Sequence, residues 1–331
     1  MAVSIEDIKK LRAMTGAGLA DVKKALTEAE GDFDKAKELL RERGLAIAAK
    51  RSDRETSNGC VLVKKEGNFA AMVAVKCETD FVAAGKDFIA MVEEILDAAV
   101  AARCKSLDEV KSLKLANGDD AATAVQHRSG ITGEKMELDG YLTIEGENVS
   151  VYNHQNKNVL CTMVALNEQA DPEIGHQIAM QVAAMNPIAI SEADVPQDVK
   201  DNELKVAIDK TKEEQVKRAV EGALRKAGFN LYLSESEEHL AEGIQKHEIT
   251  EAQADEIRQL KAKTAADKAA HMPEQMVQNI AKGRMAKFYK ESCLLDQEYC
   301  MDATKTISQI LQSASKTLTV TAYKRFTLRA E

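Results

Sequence analysis

The chain of 331 residues carries 45 lysines and arginines against 54 aspartates and glutamates, a formal net charge of -9. Its length predicts about two or three domains, and 44% hydrophobic residues suffice for ordinary cores, packed here without tryptophan. The acidic balance argues against a protein whose main task is gripping nucleic-acid phosphates, because that requires a basic face.

Met1-Ala2-Val3-Ser4 leads directly onto a helix with no secretion signal, and no apolar run is long enough to span a bilayer. A cytoplasmic protein that engages no membrane is expected. Ser4 caps a first helix with Asp7 three residues on, and Ile5, Ile8 and Leu11 share its inner face. Leu19, Val22, Ala25 and Leu26 line a second helix after Gly18. Phe33, Ala36, Leu39 and Leu40 line a third, which is expected to stop at Gly44. Gly16-Ala17-Gly18 ahead of a helix invites a phosphate-loop reading. It fails, because no strand precedes it and no Gly-Lys-Ser/Thr occurs in the chain. The glycines serve a turn, and no cofactor or bound nucleotide is expected. The stretch 46–58, basic and then polar, reads as a linker.

Cys60-Val61-Leu62-Val63 and Phe69 to Val75 flank Lys65-Glu66-Gly67-Asn68, a hairpin with a glycine-containing turn. The run Phe69-Ala70-Ala71-Met72-Val73-Ala74-Val75 is unbroken apolar sequence, the mark of a strand covered on both faces. Cys77-Glu78-Thr79-Asp80-Phe81-Val82-Ala83 follows, where strand gives way to helix. Thr79 and Asp80 are good caps for a short helical turn. Phe81 and Val82 are large apolar groups at a strand's end, where polar residues are usual. Two readings of Phe81 stand open: a staple folded under the next helix, or an exposed contact. That next helix runs from about Lys86 to Ala102, with Phe88, Met91, Val92, Ile95, Leu96 and Ala99 inward.

Ser106 and Asp108 begin a short helix, and Ala121 to His127 form another. Met136, Leu138, Leu142 and Ile144 alternate, as do Val149 and Val151, giving two half-buried strands, and Val159 to Leu166 gives a third. Asp171-Pro172 starts a helix that Asn186-Pro187 ends. From about Asp198 to Lys282 charge becomes dense and cysteine vanishes. One helix runs to Ala227, Leu240 and Ile244 mark a second piece, and Ile257, Leu260, Met272, Met276 and Ile280 a longer return. The irregular apolar spacing excludes a sustained heptad coiled coil. A helix with Ile307, Ile310 and Leu311, then a strand with Val320, Ala322, Phe326 and Leu328, close the chain. The six cysteines include no Cys-x-x-Cys pair and read as small buried hydrophobes in a reducing compartment. No histidine pair has metal-ligand spacing and no Gly-x-Ser-x-Gly elbow occurs, so neither a metal nor an enzymatic centre is expected.

Two motifs resemble one family. Thr79-Asp80-Phe81-Val82 is similar to the signature of the bacterial elongation factor Ts family, the guanine-nucleotide exchange factors of elongation factor Tu. Met14-Thr15-Gly16-Ala17-Gly18, followed by Asp21-Val22-Lys23-Lys24-Ala25-Leu26, resembles a second mark of that family. The resemblance implies an α+β fold whose amino-terminal three-helix bundle, with its linker (1–54), is similar to the ubiquitin-associated fold. It implies a core of two small subdomains with antiparallel sheets, at 55–143 and at 144–198 with 283–331. Residues 199–282 correspond to a projecting helical arm, much longer here than in relatives. The resemblance further implies that Thr79, Asp80, Phe81 and Val82 contact elongation factor Tu and dislodge the element that positions its magnesium ion. Gly133, in Ile131-Thr132-Gly133-Glu134, and His154 fall where relatives make further contacts. Without the family, His154 reads as an ordinary surface residue at a strand end. Some relatives add a carboxyl-terminal helix that packs on the partner; the chain ends at Glu331 without it, so that contact is not carried over. A purely structural adaptor, binding a partner without changing nucleotide affinity, is the competing reading.

Overall fold

A computed structural model describes residues 3–49 and 53–329, and it is mixed helix and small antiparallel sheets, an α+β fold. The chain divides into two compact units, Met1–Ile190 with Glu298–Glu331, and Ser191–Gln297.

The first unit begins with three helices, α1 (Ile5–Thr15), α2 (Leu19–Glu28) and α3 (Phe33–Ala49). Ser4 caps α1 by accepting from the Asp7 amide, and Gly16 ends it in the left-handed region that glycine tolerates. Ile8, Leu11, Val22, Ala25, Leu26, Ala36 and Leu40 form their common core. The third helix does not stop at Gly44 as the sequence implied; it runs on to Ala49. Gly44 is instead a contact point. A Cβ on Gly130, in a later helix, would lie 2.8 Å from the Gly44 carbonyl carbon, so Gly130 packs on the Gly44 backbone too closely to carry a side chain there. Part of the expected linker, residues 50–52, lies outside the described residues.

Strands β1 (Asn58–Glu66) and β2 (Phe69–Cys77) form the expected hairpin, with Glu66 opposite Phe69 and Gly67 left-handed in the turn. Then come α4 (Asp80–Ala83), α5 (Lys86–Ala101), α6 (Leu107–Ser112), α7 (Ala121–Thr132) and β3 (Met136–Glu145). The seventh helix extends five residues past the expected His127, so Ile131 and Thr132 are its last turn and Gly133 its left-handed cap. The first sheet has the order β1-β2-β3, with a bulge between Ala74 and Val75. A second sheet is built from β4 (Asn148–Asn153), β5 (Leu160–Leu166) and β8 (Val320–Thr327), in that order. Helix α8 (Pro172–Met185) packs on it, with Thr162 Oγ1 donating to the Ala179 carbonyl at 2.8 Å.

Alternate residues of β2 explain the layering. Phe69, Ala71, Val73, Val75 and Cys77 face α5, whose Phe88, Val92, Ile95 and Ala99 are buried against them. Ala70, Met72 and Ala74 face the second sheet and meet Cys161, Met163 and Ala165 of β5. The unit is thus helix, sheet, sheet, helix, and its inner strand is antiparallel yet buried on both sides. Burial pushes the Cys60, Cys77 and Cys161 thiols up to about 12, so they are protonated core groups.

The second unit holds α9 (Gln197–Lys226), α10 (Glu237–Gln245), α11 (Glu251–Ala270) and α12 (Glu274–Ser292). Leu224, Leu240, Ala254 and Ile257 form a core where these helices meet. The long return expected from Ile257 to Ile280 is two helices, because Pro273 cannot continue α11 and heads α12 instead. Helix α12 passes unbroken through Gly283, and Arg284 pairs with Glu214 of α9 at 2.7 Å. A short hairpin of β6 (Glu298–Tyr299) and β7 (Asp302–Thr306) precedes α13 (Ile307–Ala314) in the first unit. That hairpin had no sequence signal, since Asp302–Thr306 is polar apart from Ala303. Among the described residues no helix is long and apolar enough to cross a membrane.

Two predictions follow from the crossing of α3 and α7. Glycine to alanine normally stabilises a helix interior by about 1 kcal/mol. At Gly130 the Gly44 backbone reverses the sign, and Gly130→Ala is expected to lower stability by about 1–3 kcal/mol in chemical denaturation; a stabilised variant would contradict the contact. Half-buried His127 lies beside the same crossing, and burial depresses its pKa, with Arg41 and Arg128 adding to the effect while Asp119 and Glu38 oppose it. Its folded pKa lies below its unfolded one, so the stability linked to its neutral form is fully present above the unfolded value of about 6.5 and is lost as pH falls below that value and through the folded pKa. The wild-type thermal midpoint should therefore fall more steeply between pH 7.5 and 5.5 than that of His127→Gln (about two pH units around the ordinary histidine value). Superimposed profiles would exclude the effect.

Candidate partner-binding site

The site is built where β2 runs out. Cys77 is its last residue, and its protonated thiol donates to the Thr79 carbonyl at 3.2 Å. Glu78 and Thr79 are then tied to the start of the neighbouring strand, because Cys77 stands opposite Met136 in the sheet. Glu78 accepts from the Lys135 amide at 2.6 Å and pairs with Arg54 at 3.1 Å. The Lys135 ammonium donates to the Arg54 carbonyl and pairs with Glu137, both at 2.9 Å. Glu137 in turn accepts from Thr56 Oγ1 at 2.7 Å; this hydrogen bond, with help from Lys135, holds its carboxyl below the ordinary glutamate range. Thr79 is bonded to Glu134 twice, through its amide at 3.0 Å and its hydroxyl at 2.6 Å.

Helix α4 starts on Thr79, whose hydroxyl oxygen accepts from the Val82 amide at 3.3 Å. It is one turn long, and its four residues divide cleanly. Val82 and Ala83 are half-buried and pack against the core beneath α5. Asp80 is exposed, and Phe81 is 84% exposed. The staple reading of Phe81 is therefore excluded, since a staple would be covered. An exposed phenyl ring forgoes about 1.5–3 kcal/mol of burial. Of the four motif residues, Thr79 and Val82 face inward and support the turn, while Asp80 and Phe81 face outward.

Gly133 adjoins the tip through its neighbour Glu134. As the left-handed cap of α7 it turns the chain back toward Thr79, and its amide donates to the Ser129 carbonyl. His154 stands at the head of a turn in which Gln155, Asn156 and Asn158 all have positive φ, near 54°, 53° and 57°. Asparagine tolerates that region better than most residues. The turn is clamped by Asn153, whose side chain bonds both the amide and the side chain of Asn158, at 3.2 and 2.6 Å. The His154 ring meets Tyr152, with Nδ1 3.2 Å from the phenol oxygen, and the Tyr152 ring lies edge-on to that of His176. The turn and the tip line one open groove of about 870 Å³, with Asp80, Ala83 and Ala84 on one side and Asn156, Lys157 and Asn158 on another.

The sequence puts Glu134 in a segment that resembles a partner-touching loop, but its bond to Thr79 was not foreseen; nothing in a residue after a helix-ending glycine signals a bond to a distant threonine. The Asn153–Asn158 clamp was also missed, although two asparagines around a turn are a usable sign of left-handed backbone. Among the described residues no three His, Cys, Asp or Glu side chains are gathered as a metal site would require. The tip offers a carboxylate and an apolar ring for contact.

The geometry can be set beside known proteins. The sequence model of a family described as "Elongation factor TS" matches residues 78–237 and 239–330. Proteins named elongation factor Ts from Phocaeicola vulgatus and Bacteroides thetaiotaomicron are 57% and 56% identical over 331 residues, covering the whole of each chain. One of the same name from Porphyromonas gingivalis is 40% identical over the same full length. The chain belongs to the elongation factor Ts family.

Proposed function

We propose that this protein is a nucleotide exchange factor, which binds elongation factor Tu in its GDP form and promotes release of the nucleotide without covalent chemistry of its own. The observation that carries the reading is Phe81, 84% exposed beside Asp80 on a one-turn helix whose Val82 and Ala83 are packed and whose cap, Thr79, is hydrogen-bonded. A GTPase holds GDP through its phosphate loop and a magnesium ion, and both must loosen before exchange. Phe81 inserts between elements of the partner and displaces the one that positions magnesium; Asp80 competes for the hydrogen bonds that hold it. Gly133 and His154 add secondary contacts. The bundle within 1–54 serves as the docking module and resembles the ubiquitin-associated fold, the core of 55–143, 144–198 and 283–331 carries the tip, and 199–282 is an arm. The work is done in the cytoplasm, beside the GTPase.

The thermodynamics are those of antagonism. The factor lowers nucleotide affinity by the same ratio as the nucleotide lowers affinity for the factor. Each tenfold faster release needs about 1.4 kcal/mol of extra binding to the loosened state. A buried aromatic anchor contributes about 2–4 kcal/mol, so one phenylalanine can supply much of the effect.

Phe81→Ala is expected to slow GDP release about 30- to 150-fold while leaving the thermal midpoint unchanged, because the ring touches little of its own protein. Asp80→Ala should slow it less. Normal release by folded Phe81→Ala would remove the basis of the reading.

A further inference from the structure

A one-turn helix does not hold itself together in water, since isolated helices need roughly 12–15 residues. The direction in which Asp80 and Phe81 project must therefore be set from outside α4. Val82 and Ala83 provide one support by packing inward. The other is Thr79, and its geometry is determined by a single carboxylate.

A threonine hydroxyl has one proton and two lone pairs. In Thr79 the proton goes to Glu134 Oε1 at 2.6 Å, which leaves a lone pair aimed at the Val82 amide, 3.3 Å away. The Thr79 amide donates to the second oxygen, Oε2, at 3.0 Å. Glu134 thus fixes both the backbone and the hydroxyl rotor of the capping residue, through two charge-assisted hydrogen bonds. Its own backbone is fixed in turn: Ser129 Oγ donates to the Glu134 carbonyl at 2.5 Å, and the Glu134 amide donates to Thr132 Oγ1 at 3.3 Å. The partners come from sequence positions 55 residues apart, so the bond joins the end of α7 to the end of β2.

From this we infer that Glu134 is a positioning residue for exchange: it holds the Thr79 cap and thereby the pose of Phe81, and acts on the partner GTPase only through that tip. The inference rests on the exchange-factor reading, and its test separates the two. In the free protein, Glu134→Ala should lower hydrogen-exchange protection at the Thr79 and Val82 amides by about tenfold, the scale of one lost charge-assisted bond, while β2 amides keep theirs. With the GTPase, Glu134→Ala should lower the maximal GDP-release rate by about tenfold, more than any fall in its thermal midpoint accounts for. Glu134→Gln, which keeps the side-chain length and one acceptor oxygen, should recover most of that loss. Wild-type amide protection in Glu134→Ala would overturn the clamp. Normal release in Glu134→Ala, beside slow release in Phe81→Ala, would overturn the positioning role alone. A loss of rate that only tracks a lowered midpoint, unrelieved by Gln, would reduce Glu134 to a fold residue and overturn it too. Normal release in Phe81→Ala would overturn the exchange reading, and this inference with it.

Discussion

A strand with apolar side chains on both faces has to be covered twice, and β2 imposes that demand on the first unit. Its odd residues, Phe69 to Cys77, need the helix layer that α5 supplies, and its even residues, Ala70 to Ala74, need the second sheet. Neither cover alone would do, because the exposed half would leave a row of apolar groups in water. Two three-stranded sheets are therefore held in one compact unit by the inner strand. Glu78 to Ala83 emerge at the carboxyl end of this strand.

That exit explains the division of labour in the tip. Rigid neighbours surround it: Lys135 and Arg54 on Glu78, Glu134 on Thr79, and the core beneath α5 on Val82 and Ala83. What remains outward is an acid and a phenyl ring. A preformed apolar anchor loses little conformational freedom on binding, which is how a small contact area yields useful affinity. Under the proposed exchange reading, the same rigidity lets the anchor push on its partner instead of yielding to it.

Most of this was legible where local chemistry decides local structure. The unbroken apolar run fixed β2 as a doubly covered strand, Ser4, Ser106 and Asp171 marked helix starts, and Thr79 was readable as a cap. Failure came where the reason for a residue lies far along the chain. Gly44 looked like a helix stop, but α7 packs against its backbone, and Gly130, which permits that approach, is 86 positions away. Glu134 is polar and follows a cap, so pattern alone assigns it to solvent; only the sheet register that sets Cys77 opposite Met136 brings it to Thr79. Phe81 was ambiguous for the opposite reason. Its apolar character says it should be covered, and nothing in the sequence says that its own chain leaves it uncovered. Pro273 was readable as a helix start and was passed over, because the apolar spacing on either side of it looked continuous.

The central claim is that the unmodified chain loosens the grip of a GTPase on its nucleotide. It is tested most directly by mixing elongation factor Tu, loaded with fluorescent GDP, with this protein at substoichiometric amounts and excess unlabelled nucleotide. The account predicts release of all the labelled GDP at a rate that rises with the amount of factor, each molecule serving many GTPases in turn. Binding of the two proteins with no change in the release rate would contradict it, and would leave an adaptor in place of an exchange factor.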